Sequence, residues 1–150
     1  MQIAVIEFPR HVCGLSDANS GEFDETCAHK LIDFMPDQSE SVDKGGTLWL
    51  GASPCKITPG SRLAACYNTE KVWERHRYRY ECSNHYRDLM PRQGLLVSVT
   101  FPDGHIVEAA ELPANDCYVG VRFHSEFKSR PNRAHPLFLG FIAAALKYPA

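Results

Sequence analysis

No apolar run in this chain is long enough to cross a bilayer. A spanning helix needs about 20 consecutive, mostly apolar residues. The longest stretch here, Pro136 to Leu146, falls well short and reads as a buried helix, so no membrane partner is expected. An excess of one charge is also lacking. Lys and Arg number 16 against 18 Asp and Glu, for a net charge of -2. That removes the electrostatic reason to expect nucleic acid or anionic lipid. Six cysteines are present, Cys13, Cys27, Cys55, Cys66, Cys82 and Cys117, with no C-x-x-C pair among them. No secretory signal precedes them, so reduced thiols in a cytoplasmic protein are expected. His76, Cys82 and His85 match no zinc-ligand spacing, and no metal site is expected. Repeats and low-complexity segments are absent.

What is present suits one soluble domain. The chain has 150 residues, of which 44% are hydrophobic and 23% charged, enough to build a core. Met1 to Val12 reads as an amphipathic helix, with Met1, Val5, Phe8 and Val12 at helical spacing and Pro9 inside the pattern. Gly14 is placed to end it. Asp17 to Glu25 and Asp33 to Gly46 read as loops. Thr47 to Leu50 and Cys55 to Thr58 are short strand candidates, separated by Gly51-Ala52-Ser53-Pro54. Ser61 to Tyr67 suits a short helix capped by Ser61.

Lys71 to Ser83 is rich in β-branched and aromatic residues. As a strand it puts Arg75, Arg77 and Arg79 on one face and His76, Tyr78 and Tyr80 on the other. The same composition suits a stacking platform for single-stranded nucleic acid, but the slightly negative net charge favours a strand with one basic face. His85 to Gln93 is a helix candidate interrupted by Pro91 and closed by Gly94. Leu95 to Phe101 and His105 to Leu112 flank Pro102-Asp103-Gly104 and read as a hairpin. Cys117 to Phe123 alternates as a half-buried strand. Pro136 then opens a last helix, whose stripe of Leu137, Phe138, Phe141, Ile142 and Ala145 is expected to lie on the sheet. The order predicts a mixed α/β sheet.

The stretch with chemical content is Phe123-His124-Ser125-Glu126-Phe127, at the end of the expected strand. An imidazole there can take a proton at neutral pH, and a carboxylate two residues on can hold its tautomer. On spacing alone the pair is far more often an ordinary strand-end ion pair.

Taken together, Met1-Gln2, Ala18 to Phe23, Gly45 to Gly51, Glu74 to Tyr80, Phe123 to Phe127 and Ser129-Arg130-Pro131 resemble the glutaminase domain of the CTP synthase family, a class I glutamine amidotransferase. They run in the family's order over essentially the whole chain. The resemblance implies an α/β, flavodoxin-like class I amidotransferase domain, taken up just after the family's G-x-C-x-G nucleophile elbow. The strands before that elbow and the amidoligase domain, which uses ATP and magnesium, would lie outside it. His124 is then the general base and Glu126 its orienter. Met1, Gln2, Glu22 and Arg77 are expected to hold L-glutamine. Glu22 can pair with an α-ammonium, and Arg77 can bind an α-carboxylate bidentately.

None of the six cysteines sits in an elbow, so the chain alone is expected to be inactive, with no cofactor of its own. Its expected partners are L-glutamine and the missing amidoligase and N-terminal halves. Alternatively, it is a non-catalytic fragment that docks on a partner, or on its own copy, through an uncovered sheet. The sequence departs from the family pattern at Ser125 (Pro in the family), Tyr78 (His), Trp49 (Arg), Arg122 (Gln) and Pro9.

Overall fold

The computed structural model describes residues 1–35 and 49–148. The expected loop through Gly46 beyond Met35, and the strand start at Thr47 and Leu48, lie outside the described residues. Helix α1 spans Gln2–Val12. It runs through Pro9, whose missing N–H and ring cost a helix interior about 3 kcal/mol. Burial of Val5, Ile6, Phe8 and Pro9 itself opposes that cost. Val12 departs from the expected stripe: it sits in the last turn and is exposed, while Ile6 is buried in its place. Gly14 ends the helix with φ +76°, a conformation most side chains resist.

Two sheets follow. The smaller has the order β1 (Asn19–Ser20), β2 (Lys30–Phe34) and β5 (Tyr80–Cys82), with β1 and β2 parallel and β2 and β5 antiparallel. The larger has five strands in the order β4 (Lys71–Tyr78), β3 (Trp49–Ile57), β6 (Leu96–Thr100), β7 (Val107–Glu111) and β8 (Val119–Val121). All its pairings are antiparallel. The α/β class is borne out, and within the described residues parallel pairing is confined to β1 and β2.

Several elements differ from the sequence reading, each for a physical reason. Residues 49–57 form one strand rather than two pieces broken at Gly51 to Pro54. Strand β3 pairs with β6 only at Lys56 and Ile57, so Pro54 lies where that edge needs no N–H donor. The expected strand from Lys71 to Ser83 divides at Arg79 into β4 and β5, which belong to different sheets. The alternation survives the break: Glu74 and His76 are buried, and Arg75 and Arg77 are exposed. The expected helix from His85 to Gln93 shrinks to a 3-10 turn, Asn84–Tyr86, and to α3, Leu89–Arg92. Pro91 stays within that first helical turn, where its missing donor matters least.

The largest correction concerns α4, Pro136–Ala145. Only Ala144 is buried, and Leu137 packs partly against the core. Phe138, Phe141 and Ile142 are 42%, 56% and 55% exposed, so the expected stripe does not lie on the sheet. The helix instead packs against α2, Arg62–Tyr67, where Cys66 Sγ stands so close to Gly140 that a Cβ there would come within 2.6 Å of it. A helix apolar on every face carries no period to say which side is covered.

Helix α2 begins as expected, with the Ser61 hydroxyl accepting from the Ala64 N–H at 3.0 Å. A second acceptor comes from across the sheet. The buried Glu111 carboxylate accepts from the Arg62 N–H at 2.8 Å and the Leu63 N–H at 3.4 Å. Two of the orphan donors of the helix start are thereby satisfied by β7. Glu111→Ala leaves them buried and unpaired, and should cost about 1–3 kcal/mol in urea unfolding.

Candidate active site

β3 and β6 pair at one end only, so the five-stranded sheet folds over itself. As a result His76 on β4 meets Glu108 on β7, three strands away in sheet order, with Nε2 and Oε2 2.8 Å apart. His76 Nδ1 donates to the Glu74 carbonyl at 2.8 Å. Both ring nitrogens therefore face acceptors, and the ring is held from both sides. Beside it, Glu74 Oε1 receives the Tyr67 hydroxyl at 3.0 Å, Lys128 Nζ at 3.0 Å and His135 Nε2 at 3.2 Å. Lys128 Nζ also bonds the Trp73 carbonyl.

These bonds hold the segment after β8 against β4. The backbone continues the strand to Arg122, whose N–H donates to the Glu108 carbonyl at 2.9 Å. It then crosses over, and the His124 N–H donates to the Arg75 carbonyl at 2.9 Å. A 3-10 turn at Ser125–Phe127 follows, with Lys128 anchored behind it. Within that turn His124 Nδ1 and Glu126 Oε1 are 2.8 Å apart. A carboxylate accepting at Nδ1 leaves the imidazole lone pair on Nε2, the arrangement a general base needs. The hydrogen bond from its own N–H, then that from His124, holds the Glu126 carboxyl below the usual carboxylate range.

His124 opens onto a cavity of about 220 Å³ that Met1, Gln2, Tyr78, Glu81 and Arg122 also line. Gln2 in turn donates to Glu22 Oε2 at 3.4 Å. Glu22 follows a tight turn in which its N–H binds the Ser20 hydroxyl at 3.1 Å and the Gly21 N–H binds the Ile32 carbonyl at 2.8 Å. A Cβ at Gly21 would come within 3.0 Å of Asp33 Oδ1.

Met1, Gln2 and His124 therefore share one cavity. Glu22 joins through Gln2, and Glu126 through His124. Arg77 does not line it. It lies on the exposed face of β4, next to Tyr78, which does. Sequence reasoning assigned no role to Glu81, Arg122 or Lys128. Arg122 carried a signal, as the one charged residue in the strand-like stretch from Cys117 to Phe123. Lys128 carried none, because its partner Glu74 is 54 residues away.

Among the described residues, no cysteine lines this cavity. Cys55 lies 3.9 Å from His76 Nε2 instead, buried, with its thiol pushed up by desolvation and then by Glu108 and Glu74. Burial raises Cys82 to about 12. No group of three or more His, Cys, Asp or Glu side chains placed to hold a metal ion occurs among the described residues. No helix of the described residues is long and apolar enough to cross a membrane.

The family model for class I glutamine amidotransferases matches residues 1–144. The chain belongs to that family. It is 53% identical over 147 residues to the CTP synthase of Carboxydothermus hydrogenoformans, covering 98% of this chain and 28% of that protein. It is 56% identical over 146 residues to the CTP synthase of Roseiflexus castenholzii, covering 97% and 26% respectively. Among solved structures, the glutaminase domain of the Trypanosoma brucei CTP synthase, with acivicin bound, superposes with a TM-score of 0.91 at 36% identity. That match covers 100% of this chain and 58% of the other. The chain thus spans little more than a quarter of the curated relatives it matches.

The Glu74 cluster has a consequence for acid stability. Desolvation pushes its carboxyl up, but the hydrogen bonds from His135 and Lys128 outweigh burial and hold it below the ordinary range. A depressed folded-state value means the stabilisation is complete above the unfolded value, about 4.3. It is lost as pH falls through the folded one. Thermal midpoints measured from about pH 6 down to pH 3 should therefore fall more steeply for the native chain than for Glu74→Gln.

Proposed function

We propose that this chain is the part of a CTP-synthase-type glutaminase that carries the general base and most of the substrate contacts. It would act in the cytoplasm on L-glutamine. The observation that carries the reading is His124, oriented by Glu126 at 2.8 Å, on the same cavity as Met1 and Gln2. In this reading a cysteine thiolate attacks the carboxamide carbon of glutamine. His124 Nε2 takes the thiol proton and delivers it to the leaving ammonia, and then activates the water that hydrolyses the thioester. Glu126 keeps a proton on Nδ1 throughout, so that Nε2 is the nitrogen that takes and gives the reacting proton. Glu22 pairs with the α-ammonium, and Gln2 and Met1 line the chain of the substrate.

In this reading the nucleophile is a cysteine outside these 150 residues, and the lack of a cysteine on the cavity among the described residues supports that. The released ammonia serves an amidoligase domain that aminates UTP to CTP with ATP and magnesium. No step in this chain is routed through either. Alone, the chain is inactive.

Purified chain should release no ammonia from glutamine. Mixed with a separately expressed fragment carrying the Cys elbow and the amidoligase domain, it should release ammonia. His124→Ala in that mixture should lower the rate roughly 10²–10⁴-fold, the usual contribution of a positioned base. Turnover by the chain alone, or an undiminished rate with His124→Ala, would refute the reading.

The exposed apolar face of α4 favours a second reading, a non-catalytic fragment that docks on a partner or self-associates. Sedimentation equilibrium separates the two. A stable homo-oligomer that Phe141→Asp dissociates supports the second, and a well-folded monomer counts against it.

A further inference from the structure

Glu126 constrains only one nitrogen of the His124 ring, and the His124 side chain is 37% exposed. One hydrogen bond decides which nitrogen carries the proton. It leaves the ring plane to be set by ring contacts, because the torsion about a Cβ–Cγ bond to an sp² ring is broad. Phe127, itself exposed, tilts against the imidazole with centroids 5.2 Å apart at 35°. A base that must meet a thiol and then a leaving amine needs that plane held.

Tyr78 stands where it can hold it. Its ring is nearly parallel to the imidazole, with 14° between the planes and centroids 6.4 Å apart. That lies within the range over which offset aromatic pairs attract. The Tyr78 ring is itself fixed twice. His76, buried and bonded at both nitrogens, meets it edge-on, with centroids 5.3 Å apart at 84°. The Arg122 guanidinium carbon lies 4.3 Å from its centroid, close enough for a cation–π contact. Arg122 is 8% exposed, and its Nη2 donates to the Tyr80 carbonyl at 2.5 Å. The Tyr78 hydroxyl is buried without a hydrogen-bond partner among the described residues, so ring contacts rather than a hydrogen bond set its place.

We propose that the Tyr78 ring, held by Arg122 and His76, is a positioning residue that sets the plane of the His124 imidazole. The proposal rests on the reading of His124 as the base.

The test is aromatic NMR on the isotope-labelled 150-residue chain, with Tyr78→Phe, Tyr78→Leu and Arg122→Met. Cross-relaxation between the ring protons of residues 78 and 124 is expected in the native chain and in Tyr78→Phe. The His124 Hε1 resonance should keep its position in Tyr78→Phe and move to its solvent-exposed value in Tyr78→Leu. It should move part of the way in Arg122→Met, with the His11 and His29 signals unmoved in each. A His124 signal that stays put in Tyr78→Leu overturns the proposal. So does one that moves together with His29, which would make the effect general loosening, or one that Tyr78→Phe displaces equally. If Tyr78→Leu does not fold, Arg122→Met carries the test, and an unmoved His124 signal there is decisive against it. No turnover is needed, so failure of the glutaminase reading would show in the ammonia assay and leave this result standing.

Discussion

The buried Glu74 carboxylate is the contact on which the rest of this structure depends. Three donors from three different segments meet on one of its oxygens: Tyr67 from α2, Lys128 from the segment after β8, and His135 at the cap of α4. A charge this deep is costly unless it is paired, so removing any one partner is felt by the other two. One residue along the same face, His76 makes the second buried pair with Glu108. Together these side chains lock β4 to β7 and to the turn that carries His124 and Glu126. The larger sheet, closed at one end by the short β3–β6 pairing, would otherwise have little to hold its two ends together.

That arrangement explains why the candidate site sits where it does. The His124 N–H bonds to β4 and the Arg122 N–H to β7, so the base is fixed by backbone as well as by side chain. Met1 and Gln2 arrive from the start of α1, against which Gly120 of β8 lies so close that a Cβ there would come within 3.1 Å of the Met1 Cα. The site is thus assembled from the first residues of the chain and from residues after position 120, with β4 between them. Each segment alone is an ordinary strand end or helix start.

Much of this was legible beforehand, for identifiable reasons. The Ser61 cap, the Gly14 stop, the hairpin around Pro102-Asp103-Gly104 and the alternation of Glu74, Arg75, His76 and Arg77 are local signals, decided within a few residues. The His124–Glu126 bond is local too, spanning two residues. The break at Arg79 was not legible, because β5 leaves β4 to pair with β2, some 50 residues earlier in the chain. Nor was the exposure of α4. A helix apolar on all sides looks buried from its composition, and only the position of neighbouring elements says which faces are covered.

By itself the sequence determined the family, most of the element types (not β1 and β2, which the loop readings missed) and the pair most suited to base chemistry, because these follow from residue identity and short-range order. Only the tertiary structure decided that Met1, Gln2, Tyr78, Arg122 and His124 share a cavity, that Arg77 stands outside it, and that Lys128 anchors the turn. The physical reason is sequence separation. Contacts between residues 50 or more apart depend on how the sheet curls, and curling is set by where β3 and β6 stop pairing, which no single stretch of the chain records.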